Sequence, residues 1–331
     1  MPIAGLGAEH SALVAKQRLM MQNALSIDLE DWFHAELVRS RMEEVSPIMH
    51  RVEEAVEPIL TLLQQYGVRA TFFVVGEVMR HHPHVVRRIY EQGHEIGCHG
   101  WSHRPLWTLN PKDLAEELEE FDRDAAGVLP VDEVIGFRAP TFSLDERTAW
   151  ALDILRDHGF RYDSSIFPMR NYLYGVNGCP PRPYHPTGVE LARDHEADKS
   201  QSTAITIKGE IETCLGVDFI EFPMTAILLA GLQVPVSGGF YLRAMPLPIL
   251  RYLLRRVNAE GRPFVIYLHP WEADERTPRI RGLSPLEHLV TYYNSGSVLR
   301  KLEALLRGFS FAPLRQVLCI QGGRQAATAL R

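Results

Sequence analysis

Glu95-Ile96-Gly97-Cys98-His99-Gly100-Trp101-Ser102-His103 is a short apolar stretch that runs directly into a pair of histidines. The rest of the chain repeats that arrangement. Short apolar runs at 24–28, 70–75, 134–137, 160–162 and 264–268 read as buried strands. They deliver Asp28, Gly76, Arg138, Asp163 and His269. Between them lie helical signals: 52–65 stopping at Gly67, 85–91 stopping at Gly93, a helix opened by Pro111 with Leu114, Leu118 and Phe121 on one stripe, and 145–157 closing at Gly159. This β-α-β-α order predicts a parallel sheet with right-handed crossovers, either open or closed into a barrel. In such α/β folds, sites assemble where strands hand over to loops at their carboxyl ends.

Beyond residue 168 the alternation is lost. An irregular insertion is expected at 168–216, where Pro180-Pro181-Arg182-Pro183 and the polar run 193–202 read as exposed loops. Strands follow at 220–223 and 234–242, the second interrupted by Gly238-Gly239. A helix over 248–258, the strand at 264–268 and a helix over 297–306 complete the pattern. The expected organisation is a disordered leader at 1–23, one domain over 24–320, and a frayed tail at 321–331.

With 331 residues and 46% hydrophobic content, the chain can bury a large core. A formal charge of −6 argues against a nucleic-acid partner, which calls for a basic face. No apolar run approaches the roughly 18 residues of a membrane span. The first 23 residues lack a signal-peptide core, so a cytoplasmic location is expected. The four cysteines show no Cys-x2-Cys spacing, so neither a zinc knuckle nor a redox motif is suggested. An assembly of identical copies is compatible with the sequence.

His99 and His103 stand at i and i+4 and share a face if the segment turns helically. With a carboxylate from elsewhere they would form a facial metal site with open positions, suited to metal-assisted hydrolysis. Cys98 beside them reads as a buried small side chain, and His81, His82 and His84 as a solvated turn around Pro83. His34, just past the acidic segment Asp28-Leu29-Glu30-Asp31, is placed to touch a substrate.

Taken in order, Ser26-Ile27-Asp28-Leu29-Glu30-Asp31, His99-x3-His103, Arg138-Ala139-Pro140, Asp163-Ser164-Ser165 and Leu268-His269 resemble the motifs of the polysaccharide deacetylases with a NodB-homology domain, carbohydrate esterase family 4. The segments Asp28-x-Glu30-Asp31-Trp32-Phe33 and Tyr162-Asp163-Ser164-Ser165-Ile166-Phe167-Pro168 are similar to the deacetylases of exosortase-linked exopolysaccharide clusters. The resemblance spans about 24–315. It implies a distorted (β/α) barrel of the NodB type with additional C-terminal elements, and removal of N-acetyl groups from a polysaccharide or its precursor. It also implies a divalent metal on His99, His103 and an acid, zinc first, with cobalt, nickel or iron accepted.

One departure concerns the first motif, where the family usually has adjacent aspartates. Here Leu29 follows Asp28, so the metal-binding acid is Glu30 or Asp31. Strand parity favours Glu30, because 28 and 30 face the same side; Asp31 is the alternative if the chain turns there. The resemblance makes Asp28 the base that takes a proton from water. Arg138 pairs with Asp28, His269 protonates the leaving amine, and Asp163 orients His269. Leu268, Trp271, Trp101 and Pro140, with Trp107, are expected around the acetyl group and a sugar face. Two other readings use the same residues: a small cyclic amide or imide hydrolase of the allantoinase-like branch, and a metal- or sugar-binding scaffold without catalysis.

Overall fold

The computed structural model describes residues 21–39, 41–42, 49–170, 174–186, 219–229 and 232–324. Its strands are β1 (Gln22–Leu29), β2 (Thr71–Val74), β3 (Glu95–Cys98), β4 (Gly136–Phe137), β5 (Tyr162–Asp163), β6 (Ile220–Glu221), β7 (Ala226–Leu229), β8 (Leu232–Pro235), β9 (Val265–Leu268) and β10 (Ser310–Ala312). Eight of them form one sheet in the order β10-β1-β2-β3-β4-β5-β6, with β9 also paired to β1, and every pairing in it is parallel. The sheet curls into a half-barrel backed by helices, as the sequence led us to expect. Between β6 and β9 no strand pairing is made among the described residues. There Thr225 Oγ1 and Ser237 Oγ reach the backbone of Val265 instead.

A period of two along each strand separates the faces. Leu25, Ile27, Leu29, Phe72, Val74, Ile96, Cys98, Phe137, Ile266 and Leu268 join the large apolar cluster on the helix side. That cluster packs on Val52–Tyr66, Pro83–Glu91, Pro111–Ala125, Leu247–Ala259 and Val298–Leu306. Ala24, Phe73, Tyr162, Ile220, Phe222, Val265 and Tyr267 fill the enclosed side with a second, aromatic-rich cluster. The same alternation sends Ser26, Asp28, Glu30, His99, Arg138 and His269 to that enclosed side, above the aromatic floor. At the opposite end, buried Glu95 closes the barrel by accepting from Thr71 Oγ1, Tyr162 Oη and the Arg315 N–H.

Local chemistry sets the helix ends. Asn110 accepts from the N–H groups of Lys112 and Asp113, while Asp113 reaches back to the Asn110 N–H. Gly67, at φ 61°, ends Val52–Tyr66 in the left-handed conformation.

Several elements depart from the sequence pattern. The strand expected over 234–242 stops at Pro235, and Phe240–Ala244 is helical. A Cβ on Gly238 would lie 1.7 Å from the Tyr267 carbonyl oxygen, and Gly239 has φ +52°. The chain therefore turns against β9 at a place only glycine fits. The helix expected from 145 begins at Ala151. β7, β10, Gly76–His81, Pro270–Ala273 and Pro285–Tyr292 carried too few periodic positions to be seen. Within the expected loop insertion, Pro183 and Tyr184 are buried, and Tyr184 bridges antiparallel to Glu221. The expectations for 1–20, 187–218 and 325–331 lie outside the described residues. Among the described residues no helix is long and apolar enough to cross a membrane.

Candidate active site

The acidic segment and the two histidines meet because β1 lies beside β2 and β2 beside β3. His99 follows β3, and its Nδ1 donates to the Arg138 carbonyl oxygen at 2.7 Å. That bond fixes the tautomer and leaves the Nε2 lone pair free. The pair is not helical, contrary to the spacing argument. Gly100 at φ 70° and His103 at φ 56° fold the loop back, and Arg39 Nη1 holds the His103 carbonyl at 2.8 Å. The two rings end with centroids 4.9 Å apart.

One ligand atom from each of Glu30, His99 and His103 lies within 4.8 Å of the others, and all three residues are buried. Glu30 Oε1 accepts from Trp271 Nε1 at 2.9 Å. Glu30 Oε2 is 2.7 Å from His103 Nε2, yet without the alignment of a hydrogen bond, and it has no hydrogen-bond partner. A buried carboxylate oxygen set against an imidazole nitrogen and left without an aligned donor is what a cation would satisfy. Burial works to raise the Glu30 pKa, but His103, His269 and His99 outweigh it and hold the carboxyl well below its usual range. Burial and the neighbouring His103 push His99 down to about 4, against the opposing pull of Asp28 and Glu30, so it is neutral and able to donate a lone pair. The set fits a dication with N/N/O ligation and open positions.

Asp31 is turned elsewhere. Its Oδ1 caps Trp32–His34 through the Trp32 N–H, and its Oδ2 accepts the Arg51 N–H at 2.9 Å. These contacts tie the loop after β1 to the start of Val52–Tyr66. Glu30→Gln should therefore weaken metal binding at least tenfold in competition against a chelator. Asp31→Asn should change it less than threefold while lowering the melting temperature. The reverse order would return the ligand role to Asp31.

Asp28 Oδ1 receives Arg138 Nη1 at 2.6 Å. Arg138 is fully buried, donates also to Ser26 Oγ, the Ser164 carbonyl and Ser164 Oγ, and lies 4.2 Å over the Phe73 ring. Asp28 Oδ2 is left facing His99 Nε2 at 3.9 Å and His269 Nε2 at 3.8 Å. His269 follows β9 and stacks on Trp271. Its Nδ1 and its backbone N–H both meet Glu272 Oε2 at 3.0 Å, and Glu272 Oε1 accepts Arg243 Nε at 2.8 Å. Sequence reasoning missed Glu272 and Arg243. The signal available was His269-Pro270-Trp271-Glu272, a capping box with proline at its first helical position.

Asp163 does not reach His269. It stands one residue past Tyr162, which faces the enclosed side, so parity turns it to the opposite face. Its Oδ1 accepts Ser165 Oγ, and its Oδ2 accepts the Ser165 N–H at 3.1 Å. Leu268 is turned away for the same reason and is core. A cavity of about 140 Å³ opens over the site; Asp28, Glu30, His99, His103, His269 and Trp271 line it. Phe142, Tyr174 and Phe240 form its apolar wall.

Trp101 and Pro140 are not on that wall. Trp101 packs over Gly76 and donates to Asp124, and Pro140 sits against Gly100. Trp107 lies beneath the Arg147 guanidinium, 5.8 Å from it. His34 is buried, accepts the Asp31 N–H and approaches Glu77. His81 and His84 are exposed, and His82 and His84 approach Glu53. Cys98 is buried, and burial pushes its thiol far up. A larger cavity of about 750 Å³ lies at the other end of the strands, around Arg69, His94 and Arg315, far from these groups.

Residues 46–162 match the family model described as polysaccharide deacetylase, and residues 164–319 one described as a domain of unknown function (DUF3473). The first match covers the part of the chain that holds both histidines. Chitin deacetylase 1 of Cryptococcus neoformans is 34% identical over 92 residues, 27% of this chain and 19% of its own length. Peptidoglycan-N-acetylglucosamine deacetylase of Bacillus cereus is 33% identical over 105 residues, 30% of this chain and 36% of its own length. The chain thus spans well under half the length of these curated relatives. A crystal structure from Mycobacterium smegmatis, assigned to the polysaccharide deacetylases, shares the fold with a TM-score of 0.53 at 15% identity, over 93% of this chain and 96% of that one.

Proposed function

We propose that the chain is a metal-dependent deacetylase that hydrolyses N-acetyl groups on a polysaccharide of the chitin or peptidoglycan type or on its precursor, and that its finer role lies in exopolysaccharide biosynthesis. The observation that carries this reading is the convergence of Asp28 Oδ2, His269 Nε2 and the Glu30–His99–His103 cluster on one cavity. The exopolysaccharide assignment rests on the wording of the segments at 28–33 and 162–168. Zinc is the first choice of metal, and the mixed N/O ligand set also accepts cobalt, nickel or iron.

When bound by Glu30, His99 and His103, a divalent cation would make water more acidic and polarise the acetyl carbonyl. The chain supplies the proton traffic. Asp28 Oδ1 is occupied by Arg138, so Oδ2 takes the proton as water adds to the carbonyl carbon. His269 Nε2, on the other side of Asp28, gives its proton to the amide nitrogen as the C–N bond breaks. Acetate and a free amine leave. Glu272 keeps His269 Nδ1 protonated and its Nε2 aimed inward.

The small cavity is the one observation that favours the alternative, hydrolysis of a small cyclic amide. Its volume of about 140 Å³ suits a single small ring better than several sugar units. Metal-reconstituted protein assayed on chitin oligosaccharides, peptidoglycan fragments, an N-acetylated exopolysaccharide and cyclic imides decides between them. Acetate release from the glycans and none from ring opening is expected. Ring opening alone would replace this reading. His103→Ala should lose at least a hundredfold in metal affinity and all acetate release while keeping its far-ultraviolet circular dichroism; stoichiometric tight metal in that variant would sink the metal site.

A further inference from the structure

The helix-facing side of β5 and β6 carries a pair of acids that the reaction above does not use. Asp163 and Glu221 are register partners on adjacent parallel strands, both fully buried, so their carboxyl groups lie side by side on one face. Two buried carboxyl groups side by side cannot both ionise, so one of them keeps a proton and can donate it to the other. Glu221 Oε1 accepts the Ile166 N–H at 2.9 Å, while Oε2, buried beside Asp163, receives no donor. That oxygen is therefore the one that bears the proton. Arg138 at the end of β4 acts on Asp163, and Tyr184 lies beside the pair, bridging to Glu221. Burial first, then mutual repulsion, raises the Glu221 pKa well above the carboxylate range.

The pair holds a turn on which the catalytic geometry hangs. Asp163 fixes Ser165 by its N–H and its hydroxyl, and Glu221 fixes the Ile166 N–H. Ser165 Oγ in turn accepts the Ala139 N–H at 2.7 Å, and Ser164 holds Arg138 by both its carbonyl and its hydroxyl. Arg138 then aims Asp28 with its side chain and His99 with its carbonyl. Immediately beyond, Thr141 and Phe142 have φ of 58° and 50°. Non-glycine residues keep such values only where the surroundings enforce them.

We propose that Glu221 is a positioning residue that works as a neutral carboxylic acid: paired with Asp163, it locks the Ser164–Ser165–Ile166 turn, and through it Arg138, Asp28 and His99. The kinetic part of this inference rests on the deacetylase reading; the protonation part does not. Glu221→Gln keeps both a donor to Asp163 and an acceptor for the Ile166 N–H. It should retain kcat within about threefold, whereas Glu221→Ala should lose about 10- to 100-fold in kcat with KM within about twofold.

Independently of turnover, the infrared difference spectrum of wild type minus Glu221→Gln at neutral pD should contain the C=O stretch of a protonated carboxyl. Because the folded chain carries a proton that the unfolded chain releases, unfolding in urea should become easier as pH rises through neutrality, more steeply in wild type than in Glu221→Gln. A difference spectrum without that band, or parallel stability curves, would overturn the shared proton even if Glu221→Ala fails to fold. Glu221→Gln as inactive as Glu221→Ala would overturn the positioning role. Absence of deacetylase activity in wild type itself, with the band present, would count against the function and not against the acid pair.

Discussion

Asp28→Asn is expected to lower kcat by about 10²–10⁴-fold, the range general-base catalysis supplies, while leaving metal content intact. Asp28 touches the site through Oδ2 alone, 3.9 Å from His99 Nε2, and Glu30, His99 and His103 make up the ligand cluster without it. The amide retains an oxygen for Arg138 Nη1 and loses the basic lone pair that accepts the proton. A second consequence follows from burial. Arg138 is fully buried and among the described residues ion-pairs with Asp28 alone, so neutralising the acid strands a guanidinium inside the barrel. Removing one partner of a buried ion pair costs on the order of 3–5 kcal/mol, with the Ser26 and Ser164 contacts tempering the loss. The variant should therefore melt lower as well as turn over slowly. Metal analysis, single-turnover acetate release and a thermal melt on the same preparation separate the two effects. Near-normal turnover with bound metal would remove Asp28 from the mechanism.

The half-barrel was legible because its strands are short apolar runs punctuated by Gly and Pro, most of them ending in a polar residue. Parity along the eight-residue β1 also separated Glu30 from Asp31, which the structure sends to the cluster and to a cap respectively. The same parity turns Asp163 and Leu268 away from the site. In strands of two and four residues, neighbouring positions give no visible alternation, and the motif's wording spoke louder than its geometry. The substrate wall was out of reach for another reason. Phe142, Tyr174 and Phe240 come from a turn, a loop and a short helix far apart in the chain, and only the closing of β6 toward β9 brings them together. Trp101 shows the converse, an aromatic beside the histidines whose ring is used to cover Gly76.

Glu272 takes the place the family resemblance gave to Asp163, and it does so by a local route. A helix that starts at Pro270 needs an acceptor for the His269 N–H, and the residue three positions on supplies it. Once there, the same oxygen meets His269 Nδ1, so the geometry that begins the helix also orients the imidazole. Arg243 ties the other oxygen and is itself anchored on the Val290 and Tyr293 carbonyls of the C-terminal elements. The second half of the chain thus supplies both the proposed acid and its support, while the first supplies the proposed base and the candidate ligand cluster.

His269→Ala should cost about 10²–10⁴-fold in kcat and abolish the alkaline limb of the pH–rate profile. Burial disfavours a charged imidazole, but Glu272, Glu30 and Asp28 more than offset it and raise His269 to about 9. Glu272, with burial opposing, is held down to about 2 by Arg243 and His269, and is an anion throughout the working range. The proposed reaction uses the protonated imidazole, so activity should be present below the His269 pKa and lost as pH rises through it. A cation on Glu30 cancels that carboxylate's share of the upward shift, which places the limb of the metal-loaded enzyme below 9 and leaves Glu272 as the main support. Glu272→Gln removes that support, and the limb should move to lower pH, with kcat at neutral pH falling as the protonated fraction falls. Asp163→Asn, on the far face of β5, should leave the limb where it is. If Asp163→Asn moved the limb while Glu272→Gln did not, the charge that sustains the general acid would have to reach it through β5, and the local capping argument would fail.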